Sequence, residues 1–137
     1  TAGKLAEVNK YSDSSVHRLD HVVISTNDAE GFIKTYRDIF NIRLALDKFV
    51  EHWQKRMLFF RLNKTTIEVI EEKNQNDAID KLWGLAWNVS NLVSCRERLM
   101  KLGVEATEIK KGVKEDTLVM TIKSHTHSVP TLFIEHT

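Results

Sequence analysis

One histidine and two glutamates, each within an apolar stretch typical of a β-strand, are the residues best suited to chemistry in this chain. His21 lies in LDHVVI, Glu68 in IEVIE and Glu135 in LFIEHT. Imidazole nitrogens and carboxylate oxygens bind borderline and hard divalent ions, and both groups transfer protons. Residues of these types can bind a metal ion or move a proton.

Each of these residues also has an ordinary structural interpretation. An imidazole at the start of a strand can be a hydrogen-bonded sheet residue, and Glu68 can be a surface glutamate on an alternating strand. In LFIEHT, alternation places Phe133 and Glu135 on one face and Leu132 and Ile134 on the other. We interpret an acid that shares a face with Phe133 as part of the polar floor of a cavity.

A second group of candidate residues lies in the stretch RMLFFRL. Alternation places Met57, Phe59 and Arg61 on one face of a strand. Two apolar side chains beside a guanidinium form a candidate substrate-binding surface, because Arg61 can hold a carboxylate or a phosphate. A solvated arginine at a strand end is the alternative.

The remaining histidines and the cysteine point less clearly to chemistry. His125 and His127 lie in SHTHSV, where the spacing can place both imidazoles on one strand face but is more typical of a solvated turn. His52, beside Trp53, is interpreted as a residue of the surface or of a pocket rim. Cys95 lies on the apolar stripe of a predicted helix and is expected to be a buried small hydrophobe.

Composition excludes several classes of function. The chain has 137 residues, 42% of them hydrophobic and 28% charged, with a net charge of +1. These values predict one globular domain. Without a basic stripe, no nucleic-acid partner is expected, and without an apolar run of about 20 residues no membrane span is expected. A single cysteine forms no disulfide within the chain, so a reducing cytoplasm is the expected location.

The pattern of elements then places the candidate residues. Residues 1–17 are polar and predict an N-terminal arm, and residues 71–81 predict a linker. Asn27 or Asp28 caps a first helix, and Asn91 caps a second helix that ends at Gly103. Strands are predicted at Leu19–Ser25, Arg43–Val50, Arg56–Leu62, Thr65–Glu71, Trp83–Val89, Val104–Lys110, Thr117–Lys123 and Thr131–His136.

This order is β-α-β-β-β, written twice. A shift of 63 positions lays Gly84 over His21, and a shift of 67 lays Glu135 over Glu68. Two copies of a unit that cannot bury its own sheet face are expected to pack into one pseudosymmetric domain.

Paired βαβββ modules with these residues resemble the vicinal oxygen chelate superfamily, which includes glyoxalase I, bleomycin-resistance proteins and extradiol dioxygenases. The resemblance covers about residues 18–136 and is carried by LDHVVISTNDAEGFIKTY, TTIEVIE, LAWNVSNLVSCRERLMKLGV and PTLFIE. It implies an α+β fold in which two modules, residues 18–72 and 82–137, form a cupped mixed sheet within a single domain, 18–137.

The resemblance also implies a ligand set for one divalent ion (Zn, Ni, Mn or Fe). The matching positions are His21, Glu68, Gly84 and Glu135. Glu71 competes with Glu68, because residues three apart on a strand point to opposite faces. Gly84 has no side chain to offer, so the set falls to His21, Glu68 and Glu135, and a protein without metal is the alternative. Glu135 can also serve as a general base.

Three functions follow from this interpretation. The first is a metal-dependent lyase or isomerase of the glyoxalase type that acts on a small oxygenated molecule. The second is a metal-free protein that sequesters a small molecule, as bleomycin-resistance proteins do. The third is a degenerate module kept for association with a partner. Relatives of this length are often dimers, so we expect a homodimer.

Overall fold

The structure is a computed structural model that describes residues 14–73 and 80–137. Most of the predicted N-terminal arm and the centre of the predicted linker lie outside the described residues. The chain divides into two compact units. The first unit is Leu19–Ala86, and the second is Trp87–Thr137 with the described residues before Leu19. The predicted module boundaries at residues 72 and 82 stay a prediction. No helix in the described part of the chain is long and apolar enough to cross a membrane.

Among the residues that the structure describes, eight strands and two short helices form the α+β fold predicted from the sequence. The order β-α-β-β-β occurs twice. The elements are β1 (Val16–Thr26), α1 (Ala29–Ile33), β2 (Arg43–Val50), β3 (Lys55–Leu62), β4 (Thr65–Glu71), β5 (Lys81–Val89), α2 (Leu92–Lys101), β6 (Lys110–Lys111), β7 (Thr117–Ile122) and β8 (Thr131–His136).

One predicted strand, Val104–Lys110, is wrong. Only Lys110–Lys111 pairs as a strand, and Ala106 makes an isolated bridge to Ile122. Backbone bonds join Thr107 to Thr121 and Lys123 to Glu105, but the reciprocal bonds go to side chains: the Thr107 hydroxyl accepts from the backbone N–H of Thr121 at 2.9 Å. Hydroxyl groups that bond to nearby backbone compete with regular sheet pairing.

The helix starts were predicted correctly, and Asp28 rather than Asn27 is the first cap. The Asp28 side chain accepts from the backbone N–H of Gly31, and that of Asn91 accepts from Ser94. A Cβ at Gly31 would lie 2.2 Å from the Asp28 Oδ2 atom, so a larger residue there would displace the capping carboxylate from its present position. After Ile33 the chain continues as a π-helix over Lys34–Ile39, a form less regular than the single helix predicted.

In the first unit, the strands lie in the order β2-β3-β4-β1. β1 and β4 are parallel, whereas β4, β3 and β2 are antiparallel neighbours. One sheet face packs against α1 through a core of six buried residues, Ala29, Phe32, Ile33, Leu58, Phe60 and Val69. We call the opposite face of this sheet the distal face.

A β-bulge interrupts β2 between Leu44 and Leu46. Leu44 faces Phe60 and Leu46 faces Phe59, so Ala45 is an extra residue on the β2 side. Because of this extra residue, Leu44 contacts the α1 core, and the residues before it lie on the same sheet faces as their register partners on β3.

In the second unit, β7 and β8 pair antiparallel and β6 extends the sheet beyond β7. Helix α2 covers one face through a core of Val89, Leu92, Cys95, Met120 and Ile122, against which Phe133 and Leu118 pack.

Candidate functional site

The distal face of the first unit carries one cross-strand row of polar residues. Residues that face each other in register share a sheet face. Arg43 faces Arg61, Arg61 faces Thr66, and Thr66 faces His21. In the next row Phe59 faces Glu68. The sheet therefore brings His21, Glu68, Phe59 and Arg61 to one surface, which is the face opposite α1.

His21 and Glu68 are diagonal neighbours on the parallel strands β1 and β4. The His21 Nε2 atom lies 3.8 Å from the Glu68 Oε2 atom, and the two side chains are 17% and 26% exposed. This distance exceeds that of a hydrogen bond. The pair is close enough for one proton or one metal ion to serve both groups.

Asp20 orients the His21 ring and was missed by sequence reasoning. Its Oδ2 atom lies 2.8 Å from His21 Nδ1, and its side chain is only 12% exposed. A carboxylate only accepts hydrogen bonds, so Nδ1 carries the proton and Nε2 is directed toward Glu68. The dipeptide Asp-His in LDHVVI is the signal that could have indicated this contact.

Glu71, which the sequence offered as the alternative to Glu68, bonds to the start of helix α1. Its Oε2 atom accepts from the backbone N–H of Ala29 at 2.9 Å. The first N–H groups of a helix have no partner within the helix, and an anion there also interacts favourably with the helix dipole. Glu71 is therefore on the α1 side of the sheet, and Glu68 is the glutamate beside His21.

Glu135 has the corresponding position in the second unit. Its Oε1 atom accepts from the backbone N–H of Leu92, the first residue of α2, at 2.7 Å. Phe133, which shares its face, packs into the α2 core rather than lining a cavity. The structure thus places Glu135 on the helix-covered face of its own unit. The metal-binding and catalytic roles predicted for it stay predictions.

Gly84 is buried and contributes no donor, as expected from the sequence. Within residues 14–73 and 80–137, no group of three or more His, Cys, Asp or Glu side chains is arranged to hold a metal ion. The largest donor set on the distal face of the first unit is the pair of His21 and Glu68.

The predicted substrate-binding residues share the distal face. Met57 is 6% exposed, Phe59 is half-buried opposite Glu68, and Arg61 is exposed at the strand end. The Arg61 Nη1 atom donates to the Thr66 hydroxyl at 2.7 Å. Their role in substrate binding stays a prediction.

The minor candidates have the structural positions expected for them. His52, His125 and His127 are exposed, and the last two lie with positive φ in the loop before β8. Cys95 is fully buried in the α2 core. Burial raises the pKa of the Cys95 thiol, which leaves the sulfur protonated and unreactive.

The chemistry of the His21–Glu68 pair fits a divalent ion in part. Zinc binds imidazole nitrogen and carboxylate oxygen at about 2.0–2.2 Å, which separates two neighbouring ligand atoms by about 3.4 Å in a tetrahedral site. The observed separation of 3.8 Å needs only a small rotation of either side chain. An imidazole whose other nitrogen bonds to a carboxylate is also the usual arrangement of a metal-binding histidine.

Residues 20–121 match the family model of the glyoxalase/bleomycin resistance protein/dioxygenase superfamily. The chain belongs to this superfamily, as the sequence resemblance predicted. No curated protein matches the chain.

Solved structures share the fold at low sequence identity. Methylmalonyl-CoA epimerase from Mycobacterium tuberculosis superimposes with a TM-score of 0.70 at 20% identity, over 94% of each chain. A hypothetical protein from Bacillus halodurans C-125 gives 0.68 at 16%, over 88% of this chain and 94% of its own. Streptomyces coelicolor methylmalonyl-CoA epimerase in complex with 2-nitronate-propionyl-CoA gives 0.66 at 15%, over 88% and 98%.

Proposed function

We propose that the protein is an isomerase or lyase of the glyoxalase type, which moves a proton on a small oxygenated molecule bound against the distal face. His21 and Glu68 are its polar centre. Asp20 positions His21, and Met57, Phe59 and Arg61 contact the substrate. Proton transfer next to a carbonyl needs a group that accepts the proton and a positive charge near the oxygen.

The approach of Nε2 to Oε2 at 3.8 Å supports this proposal most directly. With its Nδ1 atom bonded to Asp20, the ring presents Nε2 toward the Glu68 carboxylate, which only accepts hydrogen bonds. A proton on Nε2 or a cation between the two groups would interact favourably with both. A proton in this position supports acid–base chemistry by His21 and Glu68, and a cation supports stabilisation of a substrate oxygen.

In this proposal His21 and Glu68 would hold a divalent metal ion, and the ion would act as a Lewis acid toward a substrate oxygen. Glu68 also has the position of a base for the substrate proton. The structural neighbours named above as methylmalonyl-CoA epimerases make a CoA ester a reasonable first substrate to test.

The test measures exchange of the α-proton of methylmalonyl-CoA in D₂O by NMR, together with the metal content of protein purified without chelator. We expect one divalent ion per chain, lost in His21→Ala, and a fall in exchange of about 10²- to 10⁴-fold in Glu68→Gln. His52→Ala, an exposed histidine outside the site, is the control. Unchanged metal content and exchange in His21→Ala would refute the proposal.

A metal-free binding protein is the second candidate, favoured by two of the four positions that the resemblance matches to metal ligands. Gly84 offers no ligand, and Glu135 bonds to the start of α2. In this case no ion co-purifies, and a bound planar or drug-like molecule raises the melting temperature by mass action. Loss of this stabilisation in Phe59→Ala would then locate the ligand on the distal face.

We also propose that the protein is a cytoplasmic homodimer without a nucleic-acid or membrane partner. A single buried cysteine suits a reducing compartment. Strand β2 lies at the edge of its sheet and exposes Leu46 and Phe49, with Trp53 following it. An edge strand with exposed apolar side chains favours pairing with another chain.

A further inference from the structure

Two arginines face each other directly on the distal face. Arg43 on β2 and Arg61 on β3 are register partners, and both are exposed. Like charges opposite each other on antiparallel strands are destabilising. An anion bound between the two guanidinium groups would offset this repulsion.

The described residues supply no such anion. Neither Arg43 nor Arg61 has an acidic side chain within ion-pair distance in residues 14–73 and 80–137, and the bond of Arg61 to Thr66 is to a neutral hydroxyl. Arg56 on the other face of the same hairpin differs, because it pairs with Asp47 and Glu30, both at 2.7 Å. Arg56, on the α1 side, is thus neutralised by acidic side chains, whereas the distal pair of Arg43 and Arg61 is not.

Arg61, one member of this pair, is directed along the row that leads to His21. The bond from Arg61 Nη1 to the Thr66 hydroxyl draws the guanidinium across β4, and Thr66 is the register partner of His21. Neighbouring strands lie about 4.8 Å apart, so one small molecule can contact both the Arg61 guanidinium and the His21 imidazole.

We infer that Arg43 and Arg61 form an oxyanion-binding subsite that selects substrates with a carboxylate or phosphate a few atoms from the reacting carbon. Arginine presents paired N–H donors that match both groups. This inference rests on the proposed small-molecule site of the distal face and adds the chemical class of its substrate. It does not require a metal, so it holds for an isomerase and for a binding protein.

The experiment titrates the intact protein with inorganic phosphate and, separately, with malonate, by calorimetry at constant ionic strength. We expect saturable binding of at least one anion. Arg61→Ala and Arg43→Ala should each weaken it about tenfold or more, and Arg61→Lys should weaken it less because an ammonium group lacks the paired donors. Tighter malonate binding indicates a carboxylate substrate, and tighter phosphate binding a phosphorylated one.

One control variant makes the result specific. Arg37→Ala removes an exposed arginine that pairs with Asp38 outside the distal face, and it should leave anion binding unchanged. Proton exchange and metal content test the proposed chemistry, whereas anion binding tests this subsite, so failure of one and failure of the other give different results. The inference is overturned if neither anion saturates, if Arg61→Ala binds as the unaltered protein does, or if Arg37→Ala weakens binding equally. Circular dichroism shows that each variant is folded.

Discussion

At the scale of single residues, Asp20 determines what His21 can do. Its carboxylate bonds to Nδ1 at 2.8 Å and so sets the tautomer that faces Glu68. A second carboxylate behind a metal-binding histidine typically changes metal affinity by 10- to 100-fold. The chemistry proposed for His21 therefore depends on Asp20.

We predict that Asp20→Asn weakens divalent-ion binding by about 10- to 100-fold, because the amide can bond to the ring in the wrong orientation. Calorimetric titration with Zn²⁺ and Mn²⁺ measures the change. Asp20→Glu should recover part of the affinity, whereas Asp38→Asn, an exposed aspartate elsewhere, should have no effect. Equal affinity in Asp20→Asn and the unaltered protein would contradict a positioning role.

Glu135 offers a choice between two roles that one pair of variants can separate. As a partner of the Leu92 N–H, it should tolerate Glu135→Gln better than Glu135→Ala, because the amide oxygen still accepts the hydrogen bond. We expect Glu135→Ala to lower the free energy of unfolding by about 1 kcal/mol, measured by urea denaturation.

Glu71 accepts from the backbone N–H of Ala29 in the same way, so Glu71→Gln should also lower the free energy of unfolding less than Glu71→Ala does. Loss of a co-purified metal ion in both Glu135→Gln and Glu135→Ala, with stability unchanged, would instead assign Glu135 to the metal.

The family resemblance singled out His21 and Glu68, and alternation singled out Arg61; the register of the strands places all three on one surface, and their roles stay predictions. Sequence reasoning missed Asp20, since adjacent residues of a strand are expected to point to opposite faces. It also grouped Glu135 correctly with Phe133 but assigned the pair to a cavity. Alternation shows which residues share a face, whereas the helix that covers the face is a tertiary contact.

At the scale of secondary-structure elements, Arg56 joins three of them. Its Nη2 and Nε atoms bond to Asp47 on β2 at 2.7 and 3.0 Å, and its Nη1 atom lies 2.7 Å from Glu30 on α1. The Arg56 hydrogen bond lowers the pKa of the Asp47 carboxyl below its ordinary value of 3.8. This ion-pair cluster couples α1 to the β2–β3 hairpin.

We predict that Arg56→Gln destabilises the protein at neutral pH and that the difference narrows in acid. A carboxyl whose pKa is lowered by folding contributes stability above its unfolded pKa and loses it as the pH falls through the folded value. The difference in unfolding free energy should thus shrink from about pH 5 downward.

Urea denaturation at several pH values measures this dependence. Arg37→Gln, which breaks an exposed pair between adjacent residues, should change stability little at any pH. A loss in Arg56→Gln that stays constant down to pH 3 would contradict the ion-pair explanation.

The elements themselves were largely predictable. Periodicity located the strands, and Asp28, Asn91 and Gly103 marked helix ends through capping chemistry that is local in sequence. The segment 104–110 was not predictable, because its apolar residues resemble a strand while Thr107 bonds to β7 through its side chain. The π-helix after Ile33 likewise has no signal in the periodicity.

At the scale of the whole molecule, the two β-α-β-β-β repeats resemble each other more closely in structure than their sequences indicated. Each β-α-β-β-β repeat uses a glutamate of its last strand to accept from the first N–H of its helix, Glu71 for Ala29 and Glu135 for Leu92. The two glutamates are 64 positions apart (135 − 71) and the two helix starts 63 (92 − 29). In the fold, Glu135 therefore corresponds to Glu71, not to Glu68 as the shift of 67 predicted.

We predict that the protein is a dimer in solution with a mass near twice 15.9 kDa, because β2 is an edge strand with exposed apolar residues. Light scattering coupled to size exclusion measures the mass. Phe49→Lys should shift it toward the monomer, whereas Val113→Lys, at a residue that is 97% exposed in the second unit, should not. A monomer at every concentration would contradict the prediction.

The bulge at Ala45 makes β2 unusually tolerant of losing one residue there. If Ala45 is deleted, Leu44 still meets Phe60 and Arg43 still meets Arg61, because regular pairing then needs no spare residue. Deletion of Lys48, equally exposed, would instead exchange the sides of Leu46 and Asp47 and separate Asp47 from Arg56. Shortening the chain at Ala45 should therefore preserve both the fold and anion binding, and natural length variants of this hairpin would be expected to vary at this position.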